Sequence, residues 1–252
     1  PQEINIMFGN LTTDGLQESQ DRLGGISVFN TDIYIGTIKA LYAGVSSGGA
    51  TSVTLIADLN GKEYTETMYV TNKDGKNWFP NKQDPTKKVP LPGFTVVDDI
   101  CLIATGEPLA VQETEEKVIK VWDSEAKKEM PKSVPMIIGA LGKPIALGIQ
   151  KSLANKQKKE GTEYVPIAET REENHIDKIY HPELKLTVAE ARAGQDVAQF
   201  WDAWLLKNKD QVRDKRTIKD GEAGNSGAPS KAPPKPGTPA GQPERKSLFA
   251  KK

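Results

Sequence analysis

Residues 27–70 alternate apolar and polar side chains in a way that suits strands rather than helices, and this leaves few folds open to the chain. SVFNTDIYIGTIKALYAG reads as one long strand, with Tyr34, Ile38 and Tyr42 on one side and Ile33, Ile35 and Leu41 on the other. Gly36 inside it marks a bulge or bend. A turn at residues 46–50 leads to TSVTLIADL, where Val53, Leu55, Ala57 and Leu59 recur at every second position. Asn60-Gly61 is the strongest short hairpin signal, and KEYTETMYV after it completes an antiparallel meander. A long first strand, a hairpin and later strands behind an intervening segment predict a mainly β chain with minor α. The expected architecture is an OB-type Greek-key barrel with accessory helical segments, and a β-sandwich is the alternative.

The rest of the chain is less regular. A Gly-, Pro- and Lys-rich connection runs over residues 71–93, and DICLIATG and KVIKVWDS follow as short elements. SVPMIIGALGKPIALGIQKSL reads as two apolar strands around Gly142-Lys143, or as a strand and a short helix. TVAEARAGQDVAQFWDAWLLKNK has helical character: Thr187 and Glu190 form a capping box, and Phe200, Trp204 and Leu205 make an apolar face. Residues 1–24 and 180–220 would pack as accessories on the barrel. The start, PQEINIMFGN, has neither a signal-peptide pattern nor an initiating Met, as expected of a processed or incomplete N-terminus.

Charge divides the chain in two. Overall, 34 Lys plus Arg balance 34 Asp plus Glu. In residues 221–252, however, six basic residues face two acidic ones, a net of +4 that leaves −4 for the remainder. That segment is rich in Gly, Pro, Ala and Ser, and its composition predicts a disordered tail after a domain spanning residues 1–220. At its end, Leu248 and Phe249 sit between basic pairs in RKSLFAKK, the pattern of a docking peptide made of Arg245, Lys246, Ser247, Leu248, Phe249, Lys251 and Lys252. No run reaches the ~18 apolar residues of a membrane span. The lone Cys101 fits a reducing compartment, with cytoplasmic residence as the default.

Catalytic signatures are weak. His175 and His181 make no persuasive zinc site with the distant Cys101. GALGKP lacks P-loop spacing, and neither a GxSxG elbow nor a dinucleotide-binding GxGxxG is present. The residues point away from an enzyme and toward no cofactor or metal.

Single-stranded nucleic acid offers bases that stack on aromatic rings and phosphates that attract lysines, so its site needs both on one surface. Residues 33–88 supply Tyr34, Lys39, Tyr42, Lys62, Tyr64, Tyr69, Lys73, Lys76, Trp78, Phe79, Lys82, Lys87 and Lys88. Trp78-Phe79 stands out, because large aromatics in a polar, basic loop pack back or meet a ligand. Strand tyrosines such as Tyr34, Tyr42 and Tyr64 also suit ordinary barrel packing. Trp122 and Trp204 are expected in the core.

FGNLTTDGLQESQDRLGG, DIYIGTIKALYAG, TSVTLIADLNGKEY, VTNKDGKNWF and PTKKVPLPGFTVVDDICL resemble the replication-type single-stranded DNA-binding proteins of bacteriophages. VPMIIGALGK, ETREENHIDKIYH, NKDQVRDKRTIKDG and KSLFAKK extend the likeness over nearly the whole chain, closest to those of podoviruses that carry a virion RNA polymerase. The resemblance implies an OB-type fold that coats phage DNA during replication and recombination in the cytoplasm of an infected bacterium. It also implies contacts with phage replication proteins and, through Ser247, Lys251 and Lys252, with host RNA polymerase in transcription activation. The basic tail departs from the acidic tails common in replication-type binding proteins and cannot mimic DNA. Two other functions fit the residues: an interaction scaffold acting mainly through the tail, and a β-rich virion structural module.

Overall fold

The computed structural model describes residues 28–218 apart from 124, 125 and 162. The N-terminal 27 residues and the tail, with its docking motif, lie outside the described residues. Strands β1 (Asp32–Val45), β2 (Thr51–Leu59) and β3 (Lys62–Tyr69) form the expected antiparallel meander. Asn60 and Gly61 turn the β2–β3 hairpin with φ of 55° and 80°, the double left-handed geometry that Asn-Gly favours.

The long first strand is shared between two ladders. Asp32 to Thr37 pair with Ile149 to Pro144 of β8 (Pro144–Glu160), and Gly36 to Val45 pair with Leu59 to Thr51 of β2. Gly36 lies where the ladders overlap, and a Cβ there would sit 2.0 Å from the Asp58 carbonyl oxygen. Only glycine permits that approach. The bulge itself falls between Ile38 and Ala40. It breaks the simple alternation read from the sequence: Ile38 and Leu41 face the main core, while Tyr42 joins Ala40 in a separate cluster.

Strand β9 (Glu163–Tyr180) pairs antiparallel with β8, giving the order β9–β8–β1–β2–β3. β3 and β9 run parallel and share no ladder. The Glu66 carboxylate spans them, accepting the Ile176 N–H at 2.8 Å and the Tyr64 hydroxyl at 2.7 Å through Oε2. Burial raises the Glu66 pKa, and these two donors work against the rise. Helix α1 (Pro92–Thr105) contacts both β3 and β9 and buries Val97, Ile100, Cys101, Leu102 and Ile103. It starts with Pro92 in the first turn and stops at Gly106, φ 81°.

Two hairpins project in opposite directions. In the first, β6 (Thr114–Asp123) pairs with β7 (Lys128–Ile137), and β7 joins the β1 ladder at Tyr42–Met136. Its base packs Val134 and Met136 onto Ala40 and Tyr42. The second is the far half of β8–β9, beyond the start of β1, where residues 156–172 are mostly exposed.

Strand β10 (Val212–Asp214) adds parallel to β8. Helix α2 (Val188–Arg192) contacts α1 and adds Val188 to the main core, while α3 (Phe200–Asn208) covers the outer side of the β1–β8–β9 junction with Trp201 and Trp204. The Thr187–Glu190 capping box is present. On α3 the apolar face differs from the expected one: Trp201 and Trp204 are buried, and Phe200 is 40% exposed. Among the described residues no helix is long and apolar enough to cross a membrane.

Glu190 ties these helices together. Its carboxylate accepts the N–H groups of Thr187, Gln199 and Phe200 and the Thr187 hydroxyl. Burial alone would raise its pKa, but these donors outweigh burial and hold it below the ordinary value. A depressed folded-state pKa gives stability that is present above the unfolded value and lost as pH falls through the folded one.

Gly36→Ala should cost roughly 2 kcal/mol or more in denaturant unfolding, because the Asp58 carbonyl must move; an unchanged midpoint would refute the close approach. Glu190→Ala should lose about 1–3 kcal/mol at neutral pH by orphaning three N–H groups. Its difference from wild type should shrink as pH falls below the ordinary carboxylate range and through the lowered folded-state pKa, and a pH-independent difference would contradict the assigned role of the carboxylate.

Candidate nucleic-acid interface

Asparagine and proline in residues 71–91 shape a basic loop around a short ribbon. Asn72 Oδ1 accepts the N–H groups of Asp74 and Lys76, and Asn81 Oδ1 accepts that of Gln83. Between these turns, β4 (Trp78–Pro80) pairs with β5 (Lys88–Pro90). Val70 N–H bonds Thr51 O at the end of the meander, Leu91 N–H bonds Asn77 O at the base of the ribbon, and Gly93 brings the two together by lying against the Tyr69 backbone. A Cβ on Gly93 would sit 2.3 Å from the Tyr69 oxygen, so the ribbon returns onto β3 only through glycine.

Trp78 is half-buried, with the Lys88 and Lys76 ammonium groups 4.6 and 5.5 Å from its ring centre. Trp78 pairs with Pro90, whereas Phe79 pairs with Val89, so the two aromatics face opposite sides of the ribbon. Phe79 is 40% exposed. Tyr69, at the end of β3, is 53% exposed. Lys73, Lys82, Lys87 and Lys88 are also exposed, and Lys87 is paired with Asp84 at 3.4 Å. Hydrogen bonds from Thr86 hold the Asp84 carboxyl below its usual pKa. Tyr69, Lys73, Lys76, Trp78, Phe79, Lys87 and Lys88 thus share one end of the molecule.

The other expected contact residues are otherwise engaged. Tyr64 is buried against Phe29 with its hydroxyl on Glu66, and burial pushes its pKa well up. Tyr42 is buried under Val134 and Met136 of the β6–β7 hairpin. Tyr34 is half-buried, edge-on to Phe29, and donates to the Asn30 carbonyl. Lys39 is exposed but lies between Asp58 at 3.5 Å and Glu63 at 3.6 Å. The Lys62 ammonium sits 4.2 Å from the Phe29 ring centre. Tyr42 and Tyr64 present no ring face to solvent, which corrects their expected place in a stacking surface.

Two exposed aromatics escaped the sequence reading. Trp122, expected in the core, is 65% exposed on β6; Trp204 is buried as expected and donates to Asp177 at 2.7 Å. Tyr164 is 64% exposed near the tip of the β8–β9 arm, cross-strand from Lys159. Its position in KKEGTEY, just past the turn at Gly161, was the available signal.

Burial pushes the Cys101 thiol up to about 12, far from a nucleophilic thiolate. Burial raises Asp99 to about 6, with Arg192 opposing the rise. His175 is held below its usual value by burial and by Lys215. Among the described residues no group of three His, Cys, Asp or Glu is placed to hold a metal ion. Compared with known proteins, the chain matches no family model and no curated protein.

A collisional quencher should reach Trp122 readily and Trp204 poorly in variants that keep one of the two, with the other tryptophans replaced by Phe. Equal quenching in folded protein would contradict their assigned exposures.

Proposed function

We propose that this protein binds single-stranded DNA with little sequence preference, as a non-enzymatic coating protein. The observation that carries the reading is Trp78 flanked by the Lys76 and Lys88 ammonium groups, beside exposed Phe79 and near exposed Tyr69. A flat ring offers a base its π-face whatever its identity, and the ammonium groups over that ring would move onto the flanking phosphates as a base takes their place. Lys73 and Lys87, the latter paired with Asp84, are exposed along the same loop.

We read β1, β2, β3, β8 and β9 as the five strands of an OB-type barrel, with α1 in the β3-to-β8 connection and Glu66 in place of a β3–β9 ladder. Oligonucleotides lie across the second and third strands of such barrels and against the flanking loops. Here those strands end at Tyr69 and the ribbon, and the β8–β9 arm with Tyr164 stands at the opposite end. The resemblance to phage binding proteins points the same way, toward replication and recombination. It also supports a tail contact with host RNA polymerase through residues 245–252.

Anisotropy titration of a labelled oligo(dT) tests the placement of the site. Trp78→Ala should weaken binding about tenfold or more, since one stacked base is worth about 1–3 kcal/mol. Tyr69→Ala should weaken it by a similar factor, and Tyr64→Phe should leave it unchanged. Unaltered affinity in folded Trp78→Ala and Tyr69→Ala would remove the site from this end of the molecule.

A further inference from the structure

Strand β6 has an open edge, and its sequence is complementary to itself across that edge. β6 pairs with β7 alone among the described residues, so one side of a ten-residue strand faces no neighbouring strand. The two sides of the hairpin are treated differently. β7 carries Pro131 and Pro135, opposite Lys120 and Glu116. Proline has no N–H to give a ladder, so these two positions must be those whose N–H would point away from β6. Prolines there block the β7 edge against further pairing.

The same constraint fixes which β6 groups point outward. The partners of the two prolines, Glu116 and Lys120, direct their peptide N–H and C=O to the outer edge, and so by alternation do Thr114, Val118 and Trp122. β6 has no proline and no bulge to protect that edge. Val118 and Trp122, on the same face as these outward groups, are 72% and 65% exposed. Long exposed edges with large apolar side chains are what soluble proteins ordinarily cover or block.

We infer that the β6 edge pairs antiparallel with β6 of a second copy of this chain, across a two-fold axis at Val118. In that register each outward-directed residue meets another: Thr114 faces Trp122, Glu116 faces Lys120, Val118 faces itself, and the series repeats in reverse. The Glu116–Lys120 match occurs twice, and Val118 meets Val118 at the centre, the self-complementarity that a two-fold interface requires. Sliding the strands by two residues in either direction replaces the charge pairs with Glu116–Val118 or Lys120–Val118 and shortens the ladder. Glu116 keeps a free carboxylate oxygen for this pairing, because Ser133 bonds only its Oε2. A single edge ladder is small beside a standard interface of about 1,600 Å², so the pairing is weak, with dissociation in the range of roughly tens to hundreds of micromolar.

Sedimentation of the full chain from about 10 to about 500 µM, a span set by that affinity range, provides the test. The mass should rise from one chain toward two and no further. Val118→Pro removes an outward N–H without touching the β6–β7 ladder, and should remain a monomer throughout. Glu116→Lys and Lys120→Glu each set like charges face to face twice per dimer, and each should weaken association by about tenfold or more. The double substitution E116K/K120E restores the match and should restore the dimer. A monomer at every concentration, a dimer that survives Val118→Pro, or a double variant no better than the singles would each overturn the inference. If circular dichroism shows that Val118→Pro does not fold, the charge-reversal set decides alone.

Discussion

The sharing of β1 between two ladders is the constraint on which the rest of the molecule depends. β1 pairs with β8 over its first part and with β2 over its second, and where the two ladders overlap, at Gly36, the β2 backbone comes so close that no Cβ fits. The bulge that follows rotates the remaining side chains, so that Leu41 enters the main core and Tyr42 leaves it. Tyr42 then becomes the surface on which the β6–β7 hairpin docks. The placement of one arm therefore follows from a bulge three residues beyond a glycine.

The opposite side of the sheet meets its difficulty with a side chain. β3 and β9 come together without a backbone ladder, and Glu66 reaches across to the Ile176 N–H. A buried carboxylate is costly unless it is hydrogen-bonded, and the Tyr64 hydroxyl supplies a second donor. This is why Tyr64 lies inward and is unavailable to a ligand. Glu190 plays a comparable part on the outer side, where one carboxylate gathers the N–H groups that start α3. Both acids convert unmatched backbone groups into fixed joints between elements.

The meander was legible in the sequence because its inward residues alternate without interruption in β2 and its turn is Asn-Gly. The capping box at Thr187 was equally plain, since its chemistry is local. β9 could not be read in the same way. Its far half leaves the core, so TEYVPIAETREEN carries no apolar face to reveal it. Trp122 was misplaced for a related reason: alternation in KVIKVWD shows a strand but not which of its faces is covered, and here the face with Trp122 is open. Within the candidate site, the Trp78 loop was recognisable from its basic, turn-rich setting. The fates of Tyr42 and Tyr64 depended on a bulge and a seam between strands distant in sequence.

A binding face at the end of the meander, built from Trp78 and its lysines, is the central functional claim. Titrating the full chain with oligo(dT) while following intrinsic tryptophan fluorescence tests it most directly, repeated at several salt concentrations. Quenching should be saturable, with the logarithm of affinity falling linearly as the logarithm of salt rises. Fluorescence that stays constant at micromolar DNA, even at low salt, would contradict it.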